Sequence, residues 1–456
     1  MLSAREVSTI SDAKLIVEQR GLTHVKVGLF DIDGIMRGKY MSKEKFFSAL
    51  DHGFAFCDVV LGWDCQDQLY DNVNYTGWHT GYPDAPAIIL PQTCRELPFE
   101  DGMLLFIAKF NGNAEPICPR STLMRVLERA KGLGYEVIAA LEYEFFVFNE
   151  TPESVREKHY QNLTPLSPDL FGYSVIRNSV HADLHQQILS LCQKMDFPLE
   201  GLHTETGPGV LEAAIAHDNA LNSADKAALF KTFIKVWAQR NNLMATFMAK
   251  WSAALPGQSG HIHLSLKDSQ GNCAFYDQAN PDGISDIQRY FLAGQQRFMP
   301  EFLAMIAPTI NSYRRMVPGL WAPLDATWGV ENRTTALRLI PGSAKSQRIE
   351  YRLGAADANP YLALAAAIAS GLIGIEEQLE PLPQIKGNAY QQSHPATLAL
   401  PKTLAEAASR FKASNAAIAM FGVDFVEHFS ATRQWEEREF QKHVSDWELQ
   451  RYFEII

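Results

Sequence analysis

The sequence predicts an α+β protein in two parts, a small mixed domain over 1–115 and a large α+β domain over 116–456. Three observations carry this expectation. Segments with strand alternation and segments with helical spacing follow each other irregularly, without an internal repeat. A cluster of breakers, Asn111-Gly112-Asn113 followed by Pro116 and Pro119, separates the two parts. The chain has 456 residues, 46% hydrophobic and 20% charged, enough apolar material for more than one core.

The elements follow in order. Ala13, Ile16 and Val17 recur at helical spacing, which predicts a helix over 12–20. Val25, Val27 and Leu29 alternate with polar or small residues, and Asp33-Gly34 supplies a turn, so 25–40 reads as a hairpin. Residues 62–100 are rich in Gly, Pro, Asp, Asn and Trp and read as a long irregular segment. A strand is expected over 103–110. Beyond the boundary, Leu123, Val126 and Leu127 define a helix over 121–133, stopped by Gly132-Leu133-Gly134. Strands are expected over 137–148, 243–250 and 261–266. Helices are expected over 181–195, 224–241 and 360–377, with a mostly helical tail over 404–453.

Charge and composition exclude several roles. Lys+Arg is 41 and Asp+Glu is 52, a net charge of −11. An acidic chain without a basic run is a poor partner for nucleic acid or an anionic membrane surface. No apolar run approaches a membrane span, and the first residues lack a secretory pattern, so a cytoplasmic location is expected. The six cysteines are scattered and suit reduced thiols rather than a zinc cage or a disulfide framework.

The chemistry-bearing residues lie in the second part. Glu142 and Glu144 are two apart on an expected strand and share one face. His261, His263 and Ser265 repeat the device, and Arg348, Glu350 and Arg352 repeat it with alternating sign. Glu205 and Glu212 flank the turn-rich Thr206-Gly207-Pro208-Gly209-Val210. Taken alone, each pair is an ordinary solvated strand face or a cross-strand ion pair. Together they offer hard oxygen ligands for Mg²⁺ or Mn²⁺ and guanidinium forks for phosphates and carboxylates. Two metals ringed by arginines suit phosphoryl transfer from a nucleotide to a carboxylate. His181 and His185, four apart on an expected helix, show no third ligand and read as a solvated face.

With these residues the chain resembles the glutamine synthetase family over nearly its whole length. Further matches are Asp31-x-x-Gly34-x-x-Arg37-Gly38-Lys39, Ala245-Thr246-Phe247-Met248-Ala249-Lys250, and Asn311-Ser312-Tyr313-Arg314-Arg315-Met316-Val317-Pro318-Gly319. Asn332-Arg333 and Ala356-Asp357-Ala358-Asn359-Pro360 follow in order. The resemblance implies a β-grasp N-terminal domain, a glutamine synthetase-type catalytic domain, and a dodecamer of two hexameric rings. Its active site would lie between subunits and hold two or more Mg²⁺ or Mn²⁺ ions. By motif position, Glu144, Glu205 and Glu212 would hold one ion, with His203 behind them. Glu142, His261 and Glu350 would hold the other. Arg315, Arg352 and Gly257 would bind L-glutamate. His263, Ser265, Arg338, Lys345 and Arg348 would bind ATP, and Arg315 and Arg333 would serve the phosphoryl transfer.

The departures from ammonia-using members point to an organic amine as acceptor. Those members carry a glutamate two residues after the Pro-Gly, and here Trp321 stands in its place. An aromatic wall suits an alkyl or aryl substituent on nitrogen. Trp63 joins it as an amine-pocket candidate, with Trp78 as a further aromatic and Asp64 and Asp67 as acids for a polyamine. Asp58, from the neighbouring subunit, is the candidate to take the acceptor's proton. Pro256 replaces the family's asparagine near glutamate, and Val210 replaces a glutamine. The expectation is a γ-glutamyl amide synthetase acting on a monoalkyl- or arylamine rather than a polyamine. The alternatives are glutamine synthesis from ammonia and a catalytically silent family member. A metal-dependent hydrolase would have no use for the arginine series.

Overall fold

A computed structural model describes residues 2–280 and 282–456. Among the described residues, six strands form the N-terminal sheet: β1 (His24–Phe30), β2 (Met36–Ser42), β3 (Phe54–Cys57), β4 (Asp84–Ile89), β5 (Arg95–Glu96) and β6 (Leu104–Phe110). Their order is β2-β1-β6-β4-β3, with β5 on β6. The expected hairpin is present, with Val27 opposite Lys39 and Phe30 opposite Met36. β1 and β6 run parallel, and the alternating Val25, Val27 and Leu29 enter a core shared with Phe46, Leu50 and Phe106. Two expectations need correction here. The helix Lys43–His52, capped by Ser42, was not read from the sequence. The segment 62–100 is not wholly irregular, because β4 and β5 lie within it. Their brevity, and Pro86 inside β4, hid the alternation.

The second part holds nine strands among the described residues: β7 (Glu136–Phe148), β8 (Leu199–Thr204), β9 (Val210–Ile215), β10 (Asp218–Asn219), β11 (Met244–Thr246), β12 (Gly260–Lys267), β13 (Trp328–Val330), β14 (Leu337–Ile340) and β15 (Arg348–Tyr351). They order as β13-β14-β15-β12-β7-β9-β8, with β10 and β11 also on β7. The strand expected over 243–250 is only the three residues of β11, since the chain then leaves the sheet as a loop. Leu141, Tyr143, Phe145 and Val147 of β7 join the main core, and the Tyr143 ring stacks 6.2 Å from Phe230 of the helix Ala220–Arg240. The two-residue period then leaves Glu142 and Glu144 on the opposite face.

The helices Asp286–Ile306 and Pro360–Glu376 cross at Gly294 and Gly374, and a Cβ on Gly294 would lie 2.2 Å from the Ser370 carbonyl. The first of these long helices was not read from the sequence. The N-terminal sheet meets this body through its hairpin turn. Asn359 Nδ2 donates to the Asp31 and Ile32 carbonyls at 3.2 and 3.1 Å. Arg433 donates to Asp33 at 2.6 Å. Among the described residues, no helix is long and apolar enough to cross a membrane.

Candidate active site

Strand register assembles the polar face. His261 on β12 lies opposite Glu142 on β7, and His263 lies opposite Glu350 on β15. Arg338 on β14 also lies opposite Glu350. On the other side of β7, Glu144 faces Glu212 on β9, and His203 on β8 faces Glu212 as well. A row of acids, imidazoles and a guanidinium thus crosses the sheet. All of the row except His203 lines a cavity of about 600 Å³ that also receives Glu205, Gly257, Arg333, Arg348, Arg352 and Trp321.

Two trios of side chains hold their ligand atoms within 4.8 Å of one another: Glu142, His263 and Glu350, and His203, Glu205 and Glu212. Each differs from the expected set in one member. His261 turns Nδ1 to Glu142 at 2.7 Å, and its buried Nε2 has no hydrogen-bond partner. His263 Nε2 lies 3.4 Å from Glu142 and takes its place in the trio. Glu144 accepts from the Ser259 N–H at 2.8 Å, and His203 stands 3.4 Å from Glu205 in its stead. Alternation puts His261 and His263 on one face but does not choose between them.

The electrostatics test whether these residues fit divalent cations. Burial pushes the Glu212 carboxyl up to about 9, helped by the charges of Glu142, Glu144, Glu205 and Glu350. Burial also raises Glu142, but hydrogen bonds with His261 and His263 outweigh it and hold this carboxyl well below the usual range. So dense an acid cluster stays ionised only beside compensating positive charge. Carboxylate oxygens with one imidazole per trio match Mg²⁺ or Mn²⁺.

The remaining expected residues separate into three groups. Ser265 and Lys345 line a second cavity, about 430 Å³, which shares Glu142, His263 and Arg348 with the first. Arg315 is not in the lining of the first cavity. It is 2% exposed and donates to the Leu353 and Arg352 carbonyls and to Ser259 Oγ, at 3.0, 3.1 and 3.1 Å. Gly257 makes this burial feasible, because a Cβ there would lie 2.6 Å from Arg315 Cγ. Asp58 and Trp63 lie outside the cavity of the single chain. Asp58 is buried, accepts from Thr76 at 2.7 Å, and its carboxyl is raised by burial and then by Asp84. The Trp63 ring stacks under the Arg37 guanidinium, 4.9 Å away. Trp321 is 57% exposed at the cavity wall, in left-handed backbone with φ +60°.

The sequence pattern missed Tyr173, whose ring stacks on His203 at 4.3 Å and 10° and lines the same cavity. It sits in a Pro- and Gly-bearing loop without periodicity, so no pattern marks it. Among the described residues His181 and His185 join no ligand trio, and His185 Nδ1 bonds the His181 carbonyl at 2.9 Å.

The family model of the glutamine synthetase catalytic domain matches residues 116–452. "Type-1 glutamine synthetase 2" of Dictyostelium discoideum is 45% identical over 438 residues, 95% of this chain and 84% of its own. "Glutamate--isopropylamine ligase" of a Pseudomonas species is 36% identical over 460 residues, the full length of both. A solved complex of GmaS with ADP superposes with a TM-score of 0.84 at 25% identity, covering 97% of this chain and 99% of that one.

Proposed function

The chain belongs to the glutamine synthetase family, and from that premise we propose that it is a glutamate–amine ligase. It joins the γ-carboxylate of L-glutamate to an organic amine with ATP hydrolysis. The acceptor class is a monoalkyl- or arylamine. The observation that carries this reading is Trp321, whose exposed indole walls the cavity at the position where ammonia-using members have a glutamate. Leu320 beside it and Tyr173 extend the wall without adding a carboxylate. The full-length match to an isopropylamine ligase supports the same acceptor class.

In this reading the γ-carboxylate attacks the γ-phosphate of ATP and expels ADP, and the amine, deprotonated by Asp58, then displaces phosphate from the acyl phosphate. The two trios, with Glu144 and His261 beside them, would hold Mg²⁺ or Mn²⁺, which supplies charge neutralisation for the transferring phosphoryl group. Arg338 and Arg348, beside His263, bind the nucleotide phosphates from the first cavity, and Ser265 and Lys345 from the second. Arg333 and Arg352 stabilise the transferring group. Arg315 serves glutamate by holding the Gly257–Ser259 turn and the Arg352 backbone. In this reading Asp58 and Trp63 reach the site of a neighbouring subunit, and the assembly is the dodecamer of two hexameric rings that the family resemblance implies, in the cytoplasm. The two domains divide near residue 115.

The name of the Dictyostelium relative favours a second reading, glutamine synthesis from ammonia. Phosphate release with ATP and glutamate, across ammonia, alkylamines, ethanolamine, anilines, putrescine and spermidine, separates the two. Higher kcat/KM with a monoamine, with the γ-glutamyl amide seen by mass spectrometry, supports the proposal. Higher kcat/KM with ammonium overturns it.

A further inference from the structure

Glu331 lies just after β13, beside the expected Asn332-Arg333, yet carries no role in the reading above. Its backbone is left-handed, with φ +50°. A non-glycine residue there costs about 1 kcal/mol, and Gly or Asn would be cheaper. The position is nevertheless fixed. Its N–H donates to the Leu339 carbonyl at 3.0 Å, and Asn332 Nδ2 ties the next residue to the Gly387 carbonyl at 2.8 Å. Gly329 lets this turn close, since a Cβ there would meet Asn332 and the Ile385 carbonyl at 2.8 Å each.

The side chain uses the strain. Glu331 Oε2 accepts from Arg338 Nε at 2.9 Å and also from Arg338 Nη2. Arg338 Nη1 donates to Glu350 at 2.9 Å. The guanidinium is therefore gripped along one edge by Glu331 and touched at the opposite corner by Glu350. One N–H on each terminal nitrogen stays uncommitted at the cavity wall. The Glu331 side chain is 48% exposed, so this ion pair contributes only about 0–1 kcal/mol to stability. Backbone strain with little return in stability marks a functional position.

We propose that Glu331 is the positioning residue that sets the orientation of Arg338 toward the nucleotide phosphates. Without it, the guanidinium turns fully onto Glu350, where Arg352 already bonds. That presents fewer donors to a phosphate. The inference rests on the proposed ATP-dependent reaction.

The test compares wild type, Glu331→Gln, Glu331→Asp, Arg338→Lys and the Glu331→Gln/Arg338→Lys double variant of the full-length enzyme. Readouts are KM for ATP, kcat, and calorimetric binding of ADP with Mg²⁺. Glu331→Gln is expected to raise KM for ATP and weaken ADP binding by about tenfold, with kcat within about twofold and the melting temperature unchanged. Glu331→Asp recovers most of the loss, and the double variant is no worse than Arg338→Lys alone. Unchanged ATP and ADP parameters in Glu331→Gln, or additive losses in the double variant, overturn the assignment while wild-type activity upholds the ligase reading. A wild type that neither binds ADP nor releases phosphate overturns both.

Discussion

Glu350 and Glu212 lie on the same sheet, but one sits among cations and the other among anions. Glu350 is bonded by Arg338 and Arg352 and has His261 at 3.6 Å. Burial raises its carboxyl, yet His261, Arg352 and His263 pull it below the usual range. Glu212 is surrounded by Glu142, Glu144 and Glu205, with His203 3.7 Å away. The Glu350 end of the cavity thus already holds two guanidiniums. The Glu212 end carries surplus acid that only added positive charge would offset. Mutations of the two glutamates should therefore act with opposite sign on the metal-free protein.

The largest effect is expected at Glu350. Glu350→Gln leaves two guanidiniums without their shared carboxylate, and breaking a buried pair from one side costs about 3–5 kcal/mol. Urea unfolding of the metal-free protein should show that loss. A loss below about 1 kcal/mol would mean that Glu350 is not the counter-ion of this corner.

His428 sharpens the same rule away from the cavity. It is 4% exposed on the helix Val423–Phe440, and among the described residues neither ring nitrogen has a well-formed hydrogen bond, the Leu61 backbone being the nearest partner. Burial pushes its pKa down from 6.5 to about 4. The unfolded chain then binds the extra proton in this window, so its contribution is intact above pH 6.5 and is lost as pH falls toward 4. About 2 kcal/mol of acid-induced destabilisation over that range should vanish in His428→Gln. Unfolding curves at pH 7 and pH 4.5 check it, and parallel losses in both proteins refute it.

Glu212→Gln should do the reverse of Glu350→Gln. With its carboxyl raised to about 9, Glu212 must take up a proton on folding at pH 8, and the neutral amide removes that cost, stabilising the metal-free protein by about 1–2 kcal/mol. Manganese, which should raise the wild-type melting temperature, should raise that of the variant much less. A destabilised Glu212→Gln would place a hidden counter-charge at this end.

The comparison also explains what was legible in the sequence. Residues on strands were found because two-residue alternation fixes the shared face. Glu142, Glu144, His261, His263 and Glu350 all lie where parity puts them. Parity is silent on rotamer, so which of His261 and His263 stands in the trio with Glu142 and Glu350 was not readable. The burial of Arg315 depends on how closely the Gly257 turn approaches it, a tertiary fact. Tyr173 and Glu331 lie outside the regular strands and carry no period. The helix Asp286–Ile306 was missed although it packs into the core, because Gly294 and Pro300 lie inside it and read as breakers.

The smallest predicted effect is at Trp321, and it bears on the reaction rather than on stability. The indole lies in the cavity wall with Pro256, Gly257 and Leu320, and no hydrogen bond joins it to the acids among the described residues. Its removal should leave both trios intact. Trp321→Glu adds an acceptor for a small hydrated cation and removes an apolar face. The ratio of kcat/KM for a monoalkylamine to that for ammonium should fall about tenfold, worth about 1.4 kcal/mol. Wild type and variant assayed in parallel at fixed ATP and glutamate give that ratio directly. An unchanged ratio would mean that the acceptor lies away from residue 321, and that the surplus acid at Glu212 rather than the aromatic wall selects the amine.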